Sequence, residues 1–462
     1  MGSICLQMKS IVILLFSLLS IVSAADIQCN STSHCPEDQP CCSQFGTCGT
    51  GAYCLGGCDI RYSFNLTACM PMPRMDSFSQ TWESKDKVQE IELQSDYLGN
   101  ASEADWVYTG WVDYHDEALL VQMPNHTTGT VLSSTKYLWY GRVGAHLKTS
   151  RDGGVVTAFI LFSDVQDELD YEFVGYNLTA PETNFYAQGI LNYTNSRNST
   201  TNNTFENYHY YEIDWQEDKT DWYIDGEKVR TLERDLTWND TTNRYDYPQT
   251  PSRIQISLWP GGDPSNGNGT IDWAGGYINW DSEDIQNYGY YYAYVKDIKF
   301  EASDIPEGVP LYHGNSTDEA DYHAYRYNST DGDDTDVMLT NDKTWLGSPD
   351  ATGNDPQNEG DSQNNEKTST IVITSGSSTI TSIQTSTSKV SANVPAQNTA
   401  AANQQTDDQS QNTNTVEYNP SAGIGGFVQD SRASTSATTG GSTSLNIGIF
   451  SSMILGIFSF LV

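Results

Sequence analysis

Eight of the chain's nine cysteines fall between Cys29 and Cys69, and none follows. This even cluster (Cys29, Cys35, Cys41, Cys42, Cys48, Cys54, Cys58 and Cys69) spans 41 residues. It predicts a small disulfide-held knot, because so short a segment cannot bury enough apolar surface to hold itself together otherwise. Zinc is the competing use of such thiols. The cluster lacks paired CxxC or HxxxH spacings, so no metal and no cofactor is expected.

The ends of the chain place the knot outside the cell. Lys9 precedes an apolar run over residues 11–22, followed by the small residues Ser23-Ala24-Ala25. That run is too short to span a bilayer and has the layout of a signal peptide over residues 1–24, which would remove Cys5. Residues 445–462 form a second apolar run with no basic residue after it, behind a polar spacer with small residues over 433–441. Small site, spacer and terminal apolar tail are the pattern for a glycosylphosphatidylinositol (GPI) anchor. A plain tail-anchored helix is the alternative, disfavoured by the signal peptide and by the missing cytoplasmic charge. Asn-x-Ser/Thr sequons are frequent, those at Asn65, Asn177, Asn198, Asn239 and Asn328 among them, and fit a secreted glycoprotein tethered to a membrane. The formal net charge of −37 excludes a general nucleic-acid binder, which needs excess Lys and Arg against phosphates.

Composition divides the rest. Residues 25–70 are the cysteine-rich knot. Over residues 71–310, aromatic and β-branched residues alternate with polar ones in short runs between Gly, Asn and Asp turns, and no long stretch has a helical apolar period. The strongest signals are a strand over 155–162, a strand pair over 208–215 and 221–224, and an Asp225-Gly226 hairpin. So many short strands predict an all-β fold, a two-sheet jelly-roll sandwich. Residues 311–367 read as a solvated acidic segment: from Thr317 to Lys367 there are thirteen Asp or Glu against three Lys or Arg. Within it, residues 331–336 read as a charged loop and not as a calcium loop, since EF-hand spacing and the closing Glu are missing. Residues 368–444, rich in Ser, Thr, Asn, Gln and Ala, read as an O-glycosylated stalk before the apolar tail.

The chemistry centres on Glu168-Leu169-Asp170-Tyr171-Glu172. Residues two apart on a strand share a face, so three carboxylates line one side while Leu169, Tyr171 and Phe173 face the other. Like charges side by side repel, which stability alone would not select. A retaining glycosidase needs this proximity: one carboxylate as nucleophile and one carboxylic acid across the scissile bond. Asp170 between them can share a proton and hold the two Glu in different ionisation states. Sugar sites also need aromatic platforms, and Trp215, Trp222, Trp259, Trp273 and Trp280 are candidates. Trp259 and Trp273 stand beside Gly-rich turns.

These residues resemble glycoside hydrolase family 16. Glu168-Leu169-Asp170-Tyr171-Glu172 is similar to its ExDxE signature, Tyr140-Gly141-Arg142-Val143 to its upstream strand, and Tyr208-His209-Tyr210-Tyr211-Glu212-Ile213-Asp214-Trp215 with Asp221-Trp222-Tyr223-Ile224-Asp225-Gly226 to its downstream hairpin. Anchor and stalk make the chain most similar to the fungal Crh cell-wall transglycosylases. The resemblance implies a concanavalin-like β-jelly-roll with Glu168 as nucleophile, Asp170 as assisting carboxylate and Glu172 as acid/base. Tyr140, Arg142, His209, Trp222, Trp259 and Trp273 become its candidate substrate-binding residues. The implied reaction cuts chitin and passes the fragment to a β-1,3- or β-1,6-glucan, in a monomer held at the outer face of the plasma membrane and in the cell wall. A retaining endo-hydrolase of chitin or β-glucan is the alternative, and a non-catalytic chitin-binding wall mannoprotein a further one.

The knot resembles hevein-like, family 18 chitin-binding modules through Cys41-Cys42-Ser43-Gln44-Phe45-Gly46-Thr47-Cys48-Gly49 and Tyr53-Cys54. That resemblance implies sugar contacts by Ser43, Phe45 and Tyr53, although Thr47 stands where a second aromatic is usual. It also implies disulfides Cys29–Cys42, Cys35–Cys48 and Cys41–Cys54, with Cys58–Cys69 at the junction. A module of that kind, acting only as a chitin anchor, would be dispensable for activity on short soluble oligosaccharides.

Overall fold

The structure, a computed structural model, describes residues 27–82, 88–90, 97–312, 321–358, 367–375 and 378–386. The expected signal peptide and terminal apolar tail lie outside the described residues. Among those described, no helix is long and apolar enough to cross a membrane.

Two eight-stranded sheets pack face to face. Val155–Ser163 shows why: all nine residues of this nearly continuous apolar run are buried, as expected of a central strand covered on both faces. It pairs antiparallel with Glu168–Val174 on one side and Ser252–Pro260 on the other. The sheet runs, in order, through Arg197–Asn198, Glu182–Tyr186, Glu168–Val174, Val155–Ser163, Ser252–Pro260, Thr130–Ser134, Trp106–Thr109 and Val88–Glu90. The second sheet runs through Glu227–Glu233, Lys219–Ile224, His209–Trp215, Gly141–Lys148, Tyr290–Ala302, Ala118–Pro124 and Trp111–His115, and Phe78–Thr81 pairs with Tyr290–Ala302. His209–Trp215 alternates buried and half-buried along its length, the period-2 pattern of a strand with one face in the core. At the hairpin that follows, Asp225 and Gly226 both take positive φ (52° and 83°), the pair of left-handed residues that a type I′ turn requires.

The main core lies between the sheets. Leu169, Tyr171 and Phe173 meet Tyr211, Ile213 and Trp215 there. Tyr171 and Tyr211 have ring centroids 5.3 Å apart, and the Tyr171 hydroxyl donates to the Tyr223 carbonyl at 2.8 Å, tying one sheet to the other.

Four disulfides, Cys29–Cys42, Cys35–Cys48, Cys41–Cys54 and Cys58–Cys69, hold the knot around one short ladder, Cys41–Cys42 against Cys48–Gly49. The sulfurs of Cys29, Cys35 and Cys42 lie within 4.8 Å of one another, but each is spent in a disulfide, so they do not form a metal site.

The acidic segment departs from its reading as solvated chain. Leu311–Tyr312, Val337–Thr340, Ala324–Tyr327 and Met72–Pro73 form a four-stranded sheet, and Tyr322, Tyr325, Tyr327, Val337, Leu339 and Leu346 are buried in the main core. Tyr325 packs edge-on against Trp139, with ring centroids 5.7 Å apart. A few well-placed aromatic and aliphatic residues outweigh the average acidity, because the carboxylates find partners or water. Asp334 pairs with Arg234 at 2.9 Å, Asp333 lies 3.8 Å from Arg244, and Asp333 and Asp336 form a capping box around a short 3-10 turn. The acidic loop over 331–336 is thus a structural clasp. Farther on, Lys367–Ser375 and Ser378–Ser386 pair antiparallel, where composition suggests irregular stalk. Ile and Thr recur through both runs, and β-branched residues favour extended chain.

Candidate active site

The register of the first sheet lays out the site row by row. Glu168 stands between Tyr186 and Phe162, Asp170 between Asn184 and Ile160, and Glu172 between Glu182 and Ala158. One strand farther on, Arg253, Gln255 and Ser257 complete the same three rows. Cross-strand partners share a face, so these residues all lie on the side turned away from the main core. The Cα atoms of Glu168 and Glu172 are about 13 Å apart on a regular strand, within reach of two Glu side chains leaning together.

Asp167 fixes the start of this strand. Its carboxylate accepts from the backbone N–H groups of Gln188 (2.9 Å), Gln249 (2.9 Å) and Thr250 (3.1 Å) and from the Thr250 hydroxyl (2.7 Å). From the core side, the Trp222 indole N–H donates to the Asp170 carbonyl at 3.1 Å. The strand is therefore gripped at its start and its middle, and its alternation alone sends the carboxylates outward.

Glu168, Asp170 and Glu172 are at most 3% exposed. Burial, and then Asp170, pushes the Glu168 carboxyl well above the ordinary carboxylate range. Burial raises Asp170 to about 8 against the opposing pull of Arg230. Burial, then Asp170, Glu168 and Glu182, pushes Glu172 up as well. Three carboxyls in one dry row cannot all be charged together, so they titrate as a set that gives up protons stepwise. This is the condition for holding an acid beside a carboxylate.

The same shifts fix a pH dependence of stability. A carboxyl whose pKa is raised on folding binds its proton more tightly in the native chain. It costs nothing below the unfolded value of about 4, and stability falls as pH rises from there through the folded value. For Asp170 the window runs from about 4 to about 8. Asp170→Asn is expected to raise the melting temperature at pH 7 by roughly 2–8 °C, for about 1–2 kcal/mol, and to leave it unchanged at pH 4. Thermal scans at the two pH values check this; equal shifts at both would contradict it.

Other buried polar atoms lie in the same rows. Glu168 Oε1, both Asp170 carboxylate oxygens, Glu172 Oε1, Asn184 Oδ1, Gln255 Oε1 and Ser257 Oγ have no hydrogen-bond partner among the described residues. A buried polar atom left unpaired costs about 1–3 kcal/mol, so a face that gathers several is built for a polar ligand. Trp259 stacks on Trp273, centroids 6.2 Å apart, in a small apolar cluster with Val156 and Ala158 at one end of this face. The Trp273 indole N–H donates to Glu182 Oε2 at 3.1 Å.

The other candidate sugar contacts lie elsewhere. Tyr140 is in the main core, packed on Trp139 and on Trp215. Trp222 is fully buried beneath the strand it grips, under the Arg230 guanidinium. His209 is 5% exposed on the core face of the second sheet, with Nδ1 2.6 Å from Asp225. Arg142 is on the solvent face of that sheet, paired with Asp214 at 2.7 Å. Each belongs to the opposite sheet or the core, which strand alternation cannot distinguish without knowing the layer. Trp215 too is core, its indole N–H donating to the Pro248 carbonyl at 2.9 Å. Of the residues that sequence reasoning missed, Gln255 and Ser257 are polar interruptions between Ile254, Ile256 and Leu258 in Ser252–Pro260, where every residue is buried, so that signal was available; Asn184 lies in the mixed strand Glu182–Tyr186, which carries no such signal.

In the knot, Ser43, Phe45 and Tyr53 are half-buried, and the Thr47 N–H donates to the Ser43 hydroxyl at 3.3 Å. A Cβ on Gly49 would come within 2.5 Å of the Tyr53 ring, so glycine leaves that ring its place.

Residues 100–275 match the glycosyl hydrolases family 16 pattern. The Crh-like protein UTR2 of Candida albicans is 71% identical over 432 residues, 93% of this chain and 91% of that protein. Congo red hypersensitive protein 2 of Saccharomyces cerevisiae is 50% identical over 345 residues, 74% of this chain and 72% of that protein. A solved structure of Crh5 transglycosylase in complex with NAG aligns at a TM-score of 0.47 and 25% identity, covering 61% of this chain and 99% of that one.

Proposed function

The chain belongs to the Crh-like proteins of glycosyl hydrolase family 16, and from that premise we propose that it is a retaining transglycosylase that cuts chitin and transfers the fragment to β-glucan. The observation that carries this reading is the single buried face on which Glu168, Asp170 and Glu172 stand in consecutive rows.

In the first half-reaction, a Glu168 carboxylate oxygen attacks the anomeric carbon. Glu172 gives its proton to the departing glycosidic oxygen, and a glycosyl ester on Glu168 forms as that C–O bond breaks. In the second, Glu172 takes a proton from an acceptor hydroxyl whose oxygen attacks the same carbon, and Glu168 leaves as carboxylate. Asp170 lies between the two and carries the shared proton that steadies whichever Glu is ionised. Trp259 and Trp273 supply flat apolar faces for pyranose rings.

Ser43, Phe45 and Tyr53 give the knot a chitin-reading surface. Secretion, a GPI anchor directed by the apolar signal over residues 445–462 and action as a monomer in the cell wall complete the proposal. Hydrolysis is the alternative fate of the same intermediate, decided by whether water or a sugar hydroxyl reaches it.

The test incubates the purified protein with chitin oligosaccharides and a fluorescently labelled laminarin oligosaccharide, and weighs the labelled species. Labelled products carrying added N-acetylglucosamine units are expected. Shortened chitin fragments with the label unmodified would make the protein a hydrolase.

A further inference from the structure

The knot does not sit apart from the carboxylate face. Gln44, between Ser43 and Phe45, reaches into it: its Oε1 accepts from Arg253 Nη2 at 2.6 Å and from Gln255 Nε2 at 3.3 Å. Arg253 and Gln255 stand in the rows of Glu168 and Asp170, two strands away, about 10 Å across the sheet. The Gly56-Gly57 turn presses on the same spot. A Cβ on Gly56 would lie 2.5 Å from Arg253 Nη1, and one on Gly57 2.6 Å from Gln44 Oε1. The Gly57 N–H donates to buried Asp164 at 2.8 Å, which closes the contact onto the sandwich.

The chemistry of the three side chains fixes their orientation. A guanidinium only donates, so the atom of Gln44 facing Arg253 must be its oxygen. That oxygen in turn requires the amide nitrogen of Gln255 to face it. Gln255 is fully buried, and its Oε1, the end not held by Gln44, has no partner among the described residues; nor has Arg253 Nε, in a residue 4% exposed. The pair thus brings an unmet acceptor and an unmet donor to one end of the carboxylate rows, complementary to the hydroxyl and acetamido groups of a sugar.

We infer that Gln44 is a positioning residue of the active site: through it the knot orients Arg253 and Gln255 as a sugar-binding pair beside the carboxylates, and the knot is one wall of the substrate trough. Trp259 and Trp273 form the opposite wall. From Gln255 to Trp259 is four residues of one strand, about 13 Å, room for one polysaccharide chain. The inference rests on the enzymatic reading above and deepens it.

The test is steady-state kinetics of the full secreted chain with chitin and laminarin oligosaccharides, following consumption of either sugar so that transfer and hydrolysis both register. Gln44→Ala frees the Gln255 amide to turn over, and KM for one of the sugars is expected to rise roughly tenfold with kcat changed less than about threefold. Gln44→Glu, which still accepts from both neighbours, is expected to restore KM to within about threefold. Melting temperature and retention on chitin beads, measured alongside, are expected to match the parent protein. Unchanged KM for both sugars in Gln44→Ala would overturn the inference, as would equal impairment in Gln44→Glu, since a purely packing role would not distinguish an acceptor oxygen. A parent protein that consumes neither sugar would instead sink the enzymatic reading, and the inference with it.

Discussion

Glu168→Gln is expected to lower turnover by roughly 10⁴-fold or more while leaving the fold intact, because an amide of the same shape cannot form the glycosyl ester. Simple loss of activity would not separate the two glutamates, since Glu172→Gln should also be severely impaired. A chitooligosaccharyl fluoride separates them. Fluoride leaves without a proton, so Glu172→Gln is expected to form the ester on Glu168 from this donor, visible as added mass on the intact protein. Glu168→Gln is expected to form none. Ester formation in Glu168→Gln, or retained turnover of natural donor, would remove that residue from the mechanism. The amide is also expected to raise the melting temperature at neutral pH, in the direction argued for Asp170→Asn, since burial pushes the Glu168 carboxyl up. A variant both inactive and more stable would mark a residue kept for chemistry at a cost in stability.

The second large effect lies far from the carboxylates. Leu339 is fully buried in the strand Val337–Thr340, between Leu311 and Tyr325 on its two neighbouring strands. Leu339→Ala is expected to destabilise the protein by about 2–5 kcal/mol, the usual range for emptying a packed Leu site. An acidic tail loosely attached to a complete sandwich would tolerate the change with no shift in melting temperature, and that result would contradict the packing described. The segment also braces the knot: the Gly51 N–H donates to the Ala351 carbonyl at 2.9 Å, and the Gly353 N–H to the Ala68 carbonyl at 2.8 Å. Loosening it should therefore disturb the contact through which Gln44 reaches Arg253.

Tyr325 and Leu339 show why composition misjudged this segment. An average over fifty residues counts charges and misses a few apolar side chains spaced to share one face of two short strands. One of them, Ala324–Tyr327, gains its outer partner, Met72–Pro73, from more than two hundred residues away. Trp222 and Arg142 show a different limit. Both belong to motifs legible in the chain, and both strands form where expected, yet one side chain enters the core and the other faces solvent on the second sheet.

What the sequence determined by itself was local: the cysteine-dense knot, the succession of short strands, the Asp225-Gly226 hairpin, and the period-2 alternation that sends Glu168, Asp170 and Glu172 to one face and Leu169, Tyr171 and Phe173 to the other. These follow from backbone geometry acting over a few residues. Only the tertiary structure decided which aromatics share the carboxylate face, that Asn184, Gln255 and Ser257 complete its rows, that residues 321–358 help close the core, and that Gln44 of the knot reaches into the site. Each of these depends on register and layer, set by packing between segments tens to hundreds of residues apart, and that information is carried by no single stretch of chain.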